Sequence, residues 1–188
     1  MTRDAEAGKT VQRSTAGVSR PVMAHWVRRF CLAVLVLTTF PLSALASGSS
    51  GLPLPRFVSL RSEEVNLRTG PGLRYPIDWV YTKRDLPVEI IAEFDVWRKI
   101  RDWQGTEGWV HQSMLSSRRM AVVTGGVRGI RGSPDENAPT LARVSNNVVG
   151  RLIACPRNLS FCRVEIQNIQ GWMKRGEFWG VYPNEYIE

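Results

Sequence analysis

The chain has 188 residues, enough for one or two domains, and a hydrophobic fraction of 43%, which excludes a mainly disordered chain. Its formal net charge is +8, of which residues 1–46 hold half through six basic and two acidic side chains. In the remainder, basic and acidic residues alternate, which favours a solvated surface of mixed charge and excludes a basic stripe for nucleic acid.

Residues 1–46 are predicted to be a secretory signal peptide with an N-terminal extension. The arginine pair at 28–29 precedes an apolar run from Phe30 to Phe40, and Ala44-Leu45-Ala46 supplies small residues before the expected cut. The apolar run is too short to span a membrane, which needs about 20 residues. We therefore expect cleavage after residue 46, export to the periplasm and no transmembrane segment afterwards, with Met23 as an alternative start of translation.

Residues 47–56 are predicted to be a flexible linker, because serine, glycine and proline dominate them. The first module, residues 57–117, is organised around residues 65–76, where a short strand enters a loop with two prolines and two glycines. Proline fixes φ and glycine permits positive φ, so this loop is expected to have a defined shape. Short apolar runs bounded by turn residues predict strands near 57–60, 65–68, 77–81, 86–93, 96–103 and 106–110, with a 3₁₀ turn at 111–115.

A second module is predicted over residues 120–188, because the motifs of the first module recur there in the same order. The matched motifs are 63 or 64 residues apart. Several motifs at a nearly constant spacing indicate an internal repeat. The matched pairs are Leu67-Arg68 with Ile130-Arg131, Trp97-Arg98-Lys99-Ile100 with Phe161-Cys162-Arg163-Val164, and Gly108-Trp109-Val110 with Gly171-Trp172-Met173.

The motif set of the first module resembles the bacterial SH3-like (SH3b) family, and the resemblance covers about residues 57–188. It implies an all-β fold, with two small SH3-like β-barrels in tandem after the cleavable signal peptide. It also implies a non-catalytic module that binds cell-wall peptidoglycan or a short envelope peptide and needs no cofactor. The second module departs from the family pattern, since Gly132-Ser133-Pro134-Asp135 replaces Thr69-Gly70-Pro71-Gly72 and Phe161 replaces Trp97.

Two cysteines, Cys155 and Cys162, follow the predicted cut and flank the expected tip of a β-hairpin. Exported proteins retain disulfides, so we expect a structural bridge between them. Their spacing does not match a redox Cys-x-x-Cys pair. Metal binding is disfavoured because the nearest histidine along this part of the chain, His111, belongs to the first module.

The candidate ligand-binding surface surrounds the shaped loop of the first module. Flat aromatic faces bind sugars, prolines and peptide backbones with little loss of entropy, and arginines beside the loop suit a carboxylate. An alternative interpretation is that Trp79 and Tyr81 only cap the barrel. The predicted ligand-binding residues are Tyr75, Trp79, Tyr81, Trp103, Arg68 and Arg74.

Two other classes of function compete with binding. A cell-wall hydrolase needs an activated nucleophile or an open metal site. The only candidate pair of base and nucleophile is His111 with Ser113 or Ser116. Nothing in the sequence places a carboxylate behind this pair. The chain is therefore predicted not to be an enzyme. A structural or assembly partner of another envelope protein would use the aromatic patch at Trp179 and Tyr182 as its interface.

Overall fold

The computed structural model describes residues 49–188, which lie within one compact unit. The predicted signal peptide, residues 1–46, and the alternative start at Met23 lie outside the described residues. Between residues 49 and 188 the helical segments are two 3₁₀ turns, and neither is long and apolar enough to cross a membrane. The prediction of an all-β fold is confirmed.

The first module forms one antiparallel sheet of seven strands, with the neighbour order β3-β2-β6-β5-β4-β1-β7. A 3₁₀ turn, Gln112–Met114, separates the last two strands in the chain. The strands are β1 (Arg56–Leu60), β2 (Val65–Arg68), β3 (Ile77–Tyr81), β4 (Pro87–Phe94), β5 (Trp97–Arg101), β6 (Glu107–His111) and β7 (Leu115–Ser116).

The second module forms another antiparallel sheet of seven strands, with the order β10-β9-β13-β12-β11-β8-β14. Each strand takes the place that its counterpart in chain order occupies in the first sheet. A 3₁₀ turn, Arg175–Glu177, again precedes the last strand. The strands are β8 (Met120–Val123), β9 (Arg128–Arg131), β10 (Thr140–Val144), β11 (Val149–Ala154), β12 (Phe161–Ile166), β13 (Ile169–Lys174) and β14 (Phe178–Trp179).

The strand pairing does not close either sheet into a barrel, which corrects the prediction of two closed barrels. Strands β3 and β7 are the two ends of the first sheet, and β10 and β14 are the two ends of the second. Within residues 49–188 no strand pairing joins the two ends of either sheet. Strand β7 has only two residues, and β2 joins β6 through a single residue pair, Arg68 with Trp109. Register irregularities such as that between Leu67 and Arg68 bend the sheets without joining their edges.

Each sheet has its own hydrophobic core. In the first module Trp97 and Ile100 are buried, whereas Trp109 is half-buried. The first core contains Leu60, Val65, Leu67, Tyr81, Leu86, Val88, Ile90, Ile100, Val110 and Leu115. The second contains Ala121, Val123, Ile130, Val144, Leu152, Cys155, Cys162, Val164, Ile166, Met173 and Phe178.

The two modules contact each other around Phe57. Its ring centroid lies 4.7 Å from that of Trp179, edge to face, and 4.7 Å from that of Tyr182. The Arg119 guanidinium lies 5.8 Å from the centroid of the same ring. Aromatic pairs in these arrangements attract beyond simple area burial, so Phe57 acts as a shared anchor between the modules.

Polar contacts surround this anchor. The Tyr182 hydroxyl donates to Glu89 Oε1 across 2.8 Å, and the other Glu89 oxygen accepts from Arg101 Nη2 at 2.6 Å. Arg119 pairs with Glu185. Burial and the neighbouring Glu89 carboxylate raise the pKa of Tyr182 well above its ordinary value, so the phenol stays protonated and serves as a donor.

The described part of the predicted linker, residues 49–55, is docked on the first sheet and is not free. The Ser50 backbone N–H and hydroxyl donate to the two oxygens of Glu93 at 2.7 and 2.8 Å, and Ser49 adds a longer bond of 3.3 Å. Arg56 and Arg98 pair with the same carboxylate, whose side chain is fully buried. Serines that composition assigns to a loose segment are ordered here because a buried anion on β4 needs donors.

Strand β6 passes very close to β2 at Gly108. A Cβ at Gly108 would overlap the Leu67 side chain and lie 3.0 Å from the Arg68 carbonyl oxygen. Gly171 stands in the same relation to β9, since a Cβ there would overlap Ile130 and the Arg131 carbonyl oxygen. Both positions require glycine because two backbones approach each other, not because of backbone conformation.

We expect Gly108→Ala to lower the free energy of unfolding by about 1–3 kcal/mol, the usual cost of inserting atoms into a packed site. Gly176→Ala is the matched control, because a Cβ at Gly176 would meet nothing within 4 Å. Urea denaturation of the two variants measures the difference. Equal stability of both variants would contradict the close approach of β6 to β2.

We expect Glu93 to make stability depend on acidity. Burial opposes ionisation of its carboxyl group, but hydrogen bonds from Ser50 and Arg56 outweigh burial and lower the pKa of Glu93 from 4.5 to about 2. Ionised Glu93 therefore stabilises the fold fully above its unfolded pKa, and this contribution is lost as the pH falls toward the folded pKa. Between about pH 5 and pH 2 the loss amounts to about 3 kcal/mol at most.

The measurement is urea denaturation in steps between these two pH values. Glu93→Gln should show a shallower fall than the wild type, whereas Glu63→Gln, which alters an exposed carboxylate, should keep the wild-type fall. Wild-type pH dependence in Glu93→Gln would show that the cluster around Glu93 does not act as described.

Candidate functional site

The loop between β2 and β3 is held in shape by its own backbone. The Thr69 N–H donates to the Pro76 carbonyl at 3.1 Å and closes the loop at its base. Within it, the Gly72 N–H donates to Gly70 at 3.0 Å, and the Tyr75 N–H donates to Gly72 at 3.2 Å. These bonds satisfy backbone groups that would otherwise need solvent, so the loop has the defined shape that its glycines and prolines predicted.

Arg68 supports this loop from within. Its Nη1 donates to the carbonyl oxygen of Tyr75 at 2.7 Å and to that of Leu73 at 3.3 Å. The side chain is half-buried at the end of β2. Arg68, predicted to meet a ligand carboxylate, thus uses its guanidinium to position the loop.

Tyr75 and Arg74 form one unit at the rim of the loop. The Tyr75 ring covers Gly70 so closely that a Cβ at Gly70 would overlap it. The Arg74 guanidinium lies 5.1 Å from the ring centroid, and its Nη2 donates to the Tyr75 hydroxyl at 3.2 Å. Tyr75 is half-buried and Arg74 is exposed, so this unit presents a cation and an aromatic edge to solvent.

Strand β3 carries the most exposed apolar surface near the loop. Trp79 is 56% exposed, and Leu73, in the loop just before the strand, is 79% exposed. Ile77 and Val80 are exposed as well, and together these four residues are called the β3 surface below. Strand β3 lies at the edge of the first sheet, so one row of its backbone N–H and carbonyl groups has no strand partner in that sheet. Sequence reasoning missed Leu73, Ile77 and Val80, because apolar residues in a short strand usually indicate burial and no sequence pattern signalled their exposure.

Tyr81 does not belong to the exposed surface, which corrects its prediction as a ligand contact. It is 4% exposed and lies in the first core, with its hydroxyl donating to Asp102 Oδ2 at 3.0 Å. The other Asp102 oxygen accepts the N–H groups of Gln104 and Thr106, each at 2.9 Å. Burial and the Asp102 carboxylate raise the pKa of Tyr81 well above its ordinary value. Trp103 is half-buried against the same core.

His111 caps the first 3₁₀ turn. Its Nδ1 lies 2.7 Å from the Ser113 hydroxyl and accepts the Ser113 backbone N–H at 3.3 Å. Its ring packs edge to face on Trp97, with centroids 5.6 Å apart. Within residues 49–188 no carboxylate hydrogen-bonds to His111, and no group of three His, Cys, Asp or Glu side chains is arranged to hold a metal ion.

The predicted disulfide is confirmed. It joins Cys155, just after β11, to Cys162 on β12, and both residues are buried in the second core. The bridge therefore closes the loop at the tip of the hairpin between these strands.

The second module repeats the loop without its aromatic residue. Gly132 N–H donates to Pro139, Asp135 N–H to Ser133 and Ala138 N–H to Asp135, at 3.0, 2.8 and 3.2 Å. These are the three bonds of the first loop, each 63 residues further along. Ala138 stands where the first loop has Tyr75, so the second loop keeps the shape but not the aromatic edge.

Comparisons with known proteins identify the class of the first module. The family model described as bacterial SH3 domain matches residues 61–117. Residues 61–117 are therefore a bacterial SH3 domain, and the predicted family resemblance is confirmed for that part of the chain.

Among solved structures, NlpC2 from Trichomonas vaginalis is similar, with 14% identity, 66% of this chain and 48% of that chain covered and a TM-score of 0.31. NlpC1 from the same organism is similar over 73% of this chain and 50% of that chain, with 17% identity and a TM-score of 0.32. This chain thus spans about half the length of either protein. No curated protein matches the chain.

We expect Tyr81 and Trp79 to differ in what they contribute to stability. Tyr81→Phe leaves one oxygen of the buried Asp102 without its donor, which should cost about 1–2 kcal/mol of unfolding free energy. Trp79→Ala removes an exposed side chain and should change stability by less than about 0.5 kcal/mol. Urea denaturation monitored by circular dichroism measures both, and the reverse order would contradict the placement of these residues.

Proposed function

We propose that this chain is an exported, non-catalytic protein of the periplasm that binds peptidoglycan, or a short envelope peptide, through its bacterial SH3 domain. The family match over residues 61–117 supports a role at the cell wall. The disulfide between Cys155 and Cys162 supports an oxidising compartment outside the cytoplasm, because reduced thiols are the rule inside it.

The observation that carries the proposal is the exposed Trp79 indole beside a loop that its own hydrogen bonds hold in shape. A rigid aromatic face loses little entropy when a ligand covers it. Leu73, Ile77 and Val80 are also exposed along this edge of the sheet. This surface suits the backbone and small side chains of a wall peptide.

The free edge of β3 supplies a second type of contact. An extended peptide can pair with the unpaired N–H and carbonyl groups of an edge strand, while neighbouring side chains select its residues. Trp79 lies in the middle of that strand. A peptide lying along β3 would therefore meet the backbone and the indole together.

Arg74 adds charge selectivity at the rim of the loop. Its guanidinium is exposed and is held over the Tyr75 ring, so its direction is restrained. A guanidinium in this setting forms strong hydrogen bonds with a carboxylate. Stem peptides of peptidoglycan carry such groups, whereas Arg68 is engaged with loop carbonyls and is not assigned to the ligand.

The proposal assigns no catalytic step to His111. Its Nδ1 contacts the Ser113 hydroxyl and accepts the Ser113 backbone N–H, in a geometry that caps a 3₁₀ turn. The assembly interface expected at Trp179 and Tyr182 is not proposed either, because both residues pack against Phe57 of the first module.

We also propose that residues 120–188 are a divergent second copy of the first module. The common strand order, the three loop hydrogen bonds and the paired glycines at 108 and 171 support this origin. The loss of the aromatic residue at Ala138 supports a different ligand, or none, for the second loop.

We expect the full chain to be retained on purified peptidoglycan sacculi and Trp79→Ala to weaken retention at least about tenfold, as removal of a central aromatic contact usually does. Phe94→Ala is the matched control. Phe94 is 60% exposed, but it lies at the C-terminal end of β4 and not on the β3 surface. Sedimentation with sacculi at graded protein concentrations measures the apparent affinity.

Equal retention of Trp79→Ala and the wild type would exclude the β3 surface as the binding site. Release of soluble fragments from labelled sacculi by the wild type, abolished in His111→Ala, would exclude a non-catalytic role. Retention of neither protein on sacculi, with a stable protein complex found by cross-linking, would favour an assembly role.

A further inference from the structure

An open cleft of the second module lies on the side of its disulfide hairpin. Its volume is about 940 Å³, within the range of sites for small ligands. The hairpin between β11 and β12, the second 3₁₀ turn and the C-terminal tail supply its walls. We call it the Arg175 cleft, and the residues that matter to its chemistry are Arg128, Arg157, Leu159, Lys174, Arg175 and Glu177.

Arg175 ties two walls of the cleft together. Its Nε and Nη2 donate to the carbonyls of Leu159 and Pro156 on the hairpin, each at 3.0 Å. Its Nη1 donates to the carbonyls of Tyr182 and Glu185 in the tail, at 3.4 and 2.8 Å. All four acceptors are neutral carbonyls, so these bonds hold the guanidinium in place, and within residues 49–188 Arg175 forms no ion pair.

The other cations of the cleft are also poorly neutralised. Arg128 donates to the carbonyls of Thr124 and Gly125, again to neutral acceptors. The Arg157 guanidinium lies 4.7 Å above the Tyr186 ring and, within residues 49–188, has neither an ion pair nor a hydrogen bond. A positive field therefore remains at the cleft. Its N–H donors are held in place by carbonyl groups and ring contacts and not by carboxylates.

Two acidic side chains moderate this field without cancelling it. Glu136 pairs with Lys174 at 2.6 Å. Glu177 lines the cleft, and one of its oxygens accepts the Lys174 backbone N–H at 3.1 Å. The lining residues thus comprise four basic side chains and one acidic one.

The disulfide restrains the wall that carries Arg157. Cys155 and Cys162 bracket the segment 156–161, and their bridge limits how far Arg157 and Leu159 can move. A wall restrained before binding costs less ordering when a ligand arrives. The bridge thereby gives the hairpin a role in recognition as well as in stability.

We propose that the Arg175 cleft binds an acidic peptide through its carboxylates. Arg157 and Arg128 provide the charged donors, and the apolar surface of Leu159 contacts the peptide between its charges. The site is separate from the β3 surface and does not depend on the function proposed for it.

The presence of Glu177 favours a peptide over a phosphate group. A carboxylate in the lining repels a compact dianion more strongly than a singly charged group, and it accepts hydrogen bonds from peptide N–H groups. The mixture of apolar and polar walls also suits a chain with spaced charges.

The test is an NMR titration of the full chain with four probes. Two peptides carry one carboxylate each, acetyl-Ala-Glu-Ala-amide in its side chain and acetyl-Ala-Gln-Ala with a free C-terminus. Acetyl-Ala-Gln-Ala-amide carries none, and inorganic phosphate is the fourth probe. We expect at least one acidic peptide to shift amide signals of residues 157–160 and 174–177 and to bind about tenfold more tightly than the neutral peptide.

Arg157→Gln should weaken the acidic peptide about tenfold or more, whereas Glu177→Gln should strengthen it, because it removes a like charge. Arg163→Gln is the control, since Arg163 is an exposed arginine of β12 that contacts Gln170 away from the cleft. Trp79→Ala should also leave this binding unchanged, which separates the cleft from the β3 surface.

Whichever acidic peptide binds more tightly identifies the carboxylate that the cleft recognises. Equal weakening by Arg157→Gln and Arg163→Gln would mean non-specific attraction and would overturn the proposal. Tighter binding of phosphate than of both acidic peptides, or no shift at the cleft with any probe, would overturn it too. The amide spectrum of each variant without ligand checks that the fold is retained.

Discussion

The close approach of β6 to β2 at Gly108 joins the loop between β2 and β3 to the rest of the first module. Strands β2 and β3 reach the sheet through a single residue pair, Arg68 with Trp109, next to this glycine. Any side chain at Gly108 would push Leu67 out of the core and move Arg68, whose guanidinium holds the loop. The close approach of β6 to β2 therefore helps to fix the shape of the loop. It also fixes the position of Tyr75 at the rim and the exposure of Trp79.

The two modules share this framework but present different chemistry. In the first, an aromatic ring rests on the loop and apolar side chains follow along an edge strand. In the second, the same loop hydrogen bonds persist without the ring, and the distinctive surface lies instead at the disulfide hairpin. Because Phe57 is packed between Trp179 and Tyr182, the modules contact each other through side chains from both. The two surfaces that we propose for ligands therefore lie on different modules of one chain.

Several features were predictable because they depend on local chemistry. Glycine and proline restrict φ wherever they occur, so the loop at 69–76 could be recognised as shaped before its hydrogen bonds were known. The pairing of Cys155 with Cys162 followed from two cysteines at the ends of a short hairpin. Tyr81 was predicted at the surface because an aromatic residue in a strand can face either side. Its burial depends on Asp102, 21 residues away, which provides an acceptor inside the core.

The amino-acid order thus determined the strands, the shaped loop, the disulfide and the family of residues 61–117, since these arise from neighbours along the chain and from recurring motifs. Folding in three dimensions decided that Ser49 and Ser50 bind Glu93, that Arg68 supports the loop instead of facing solvent, and that Arg175 joins the hairpin to the tail. Each of these contacts satisfies a carboxylate or a carbonyl with a group that the fold brings to it. Hydrogen-bond demand of this kind depends on which atoms lose water on folding, and that is a property of the packed structure.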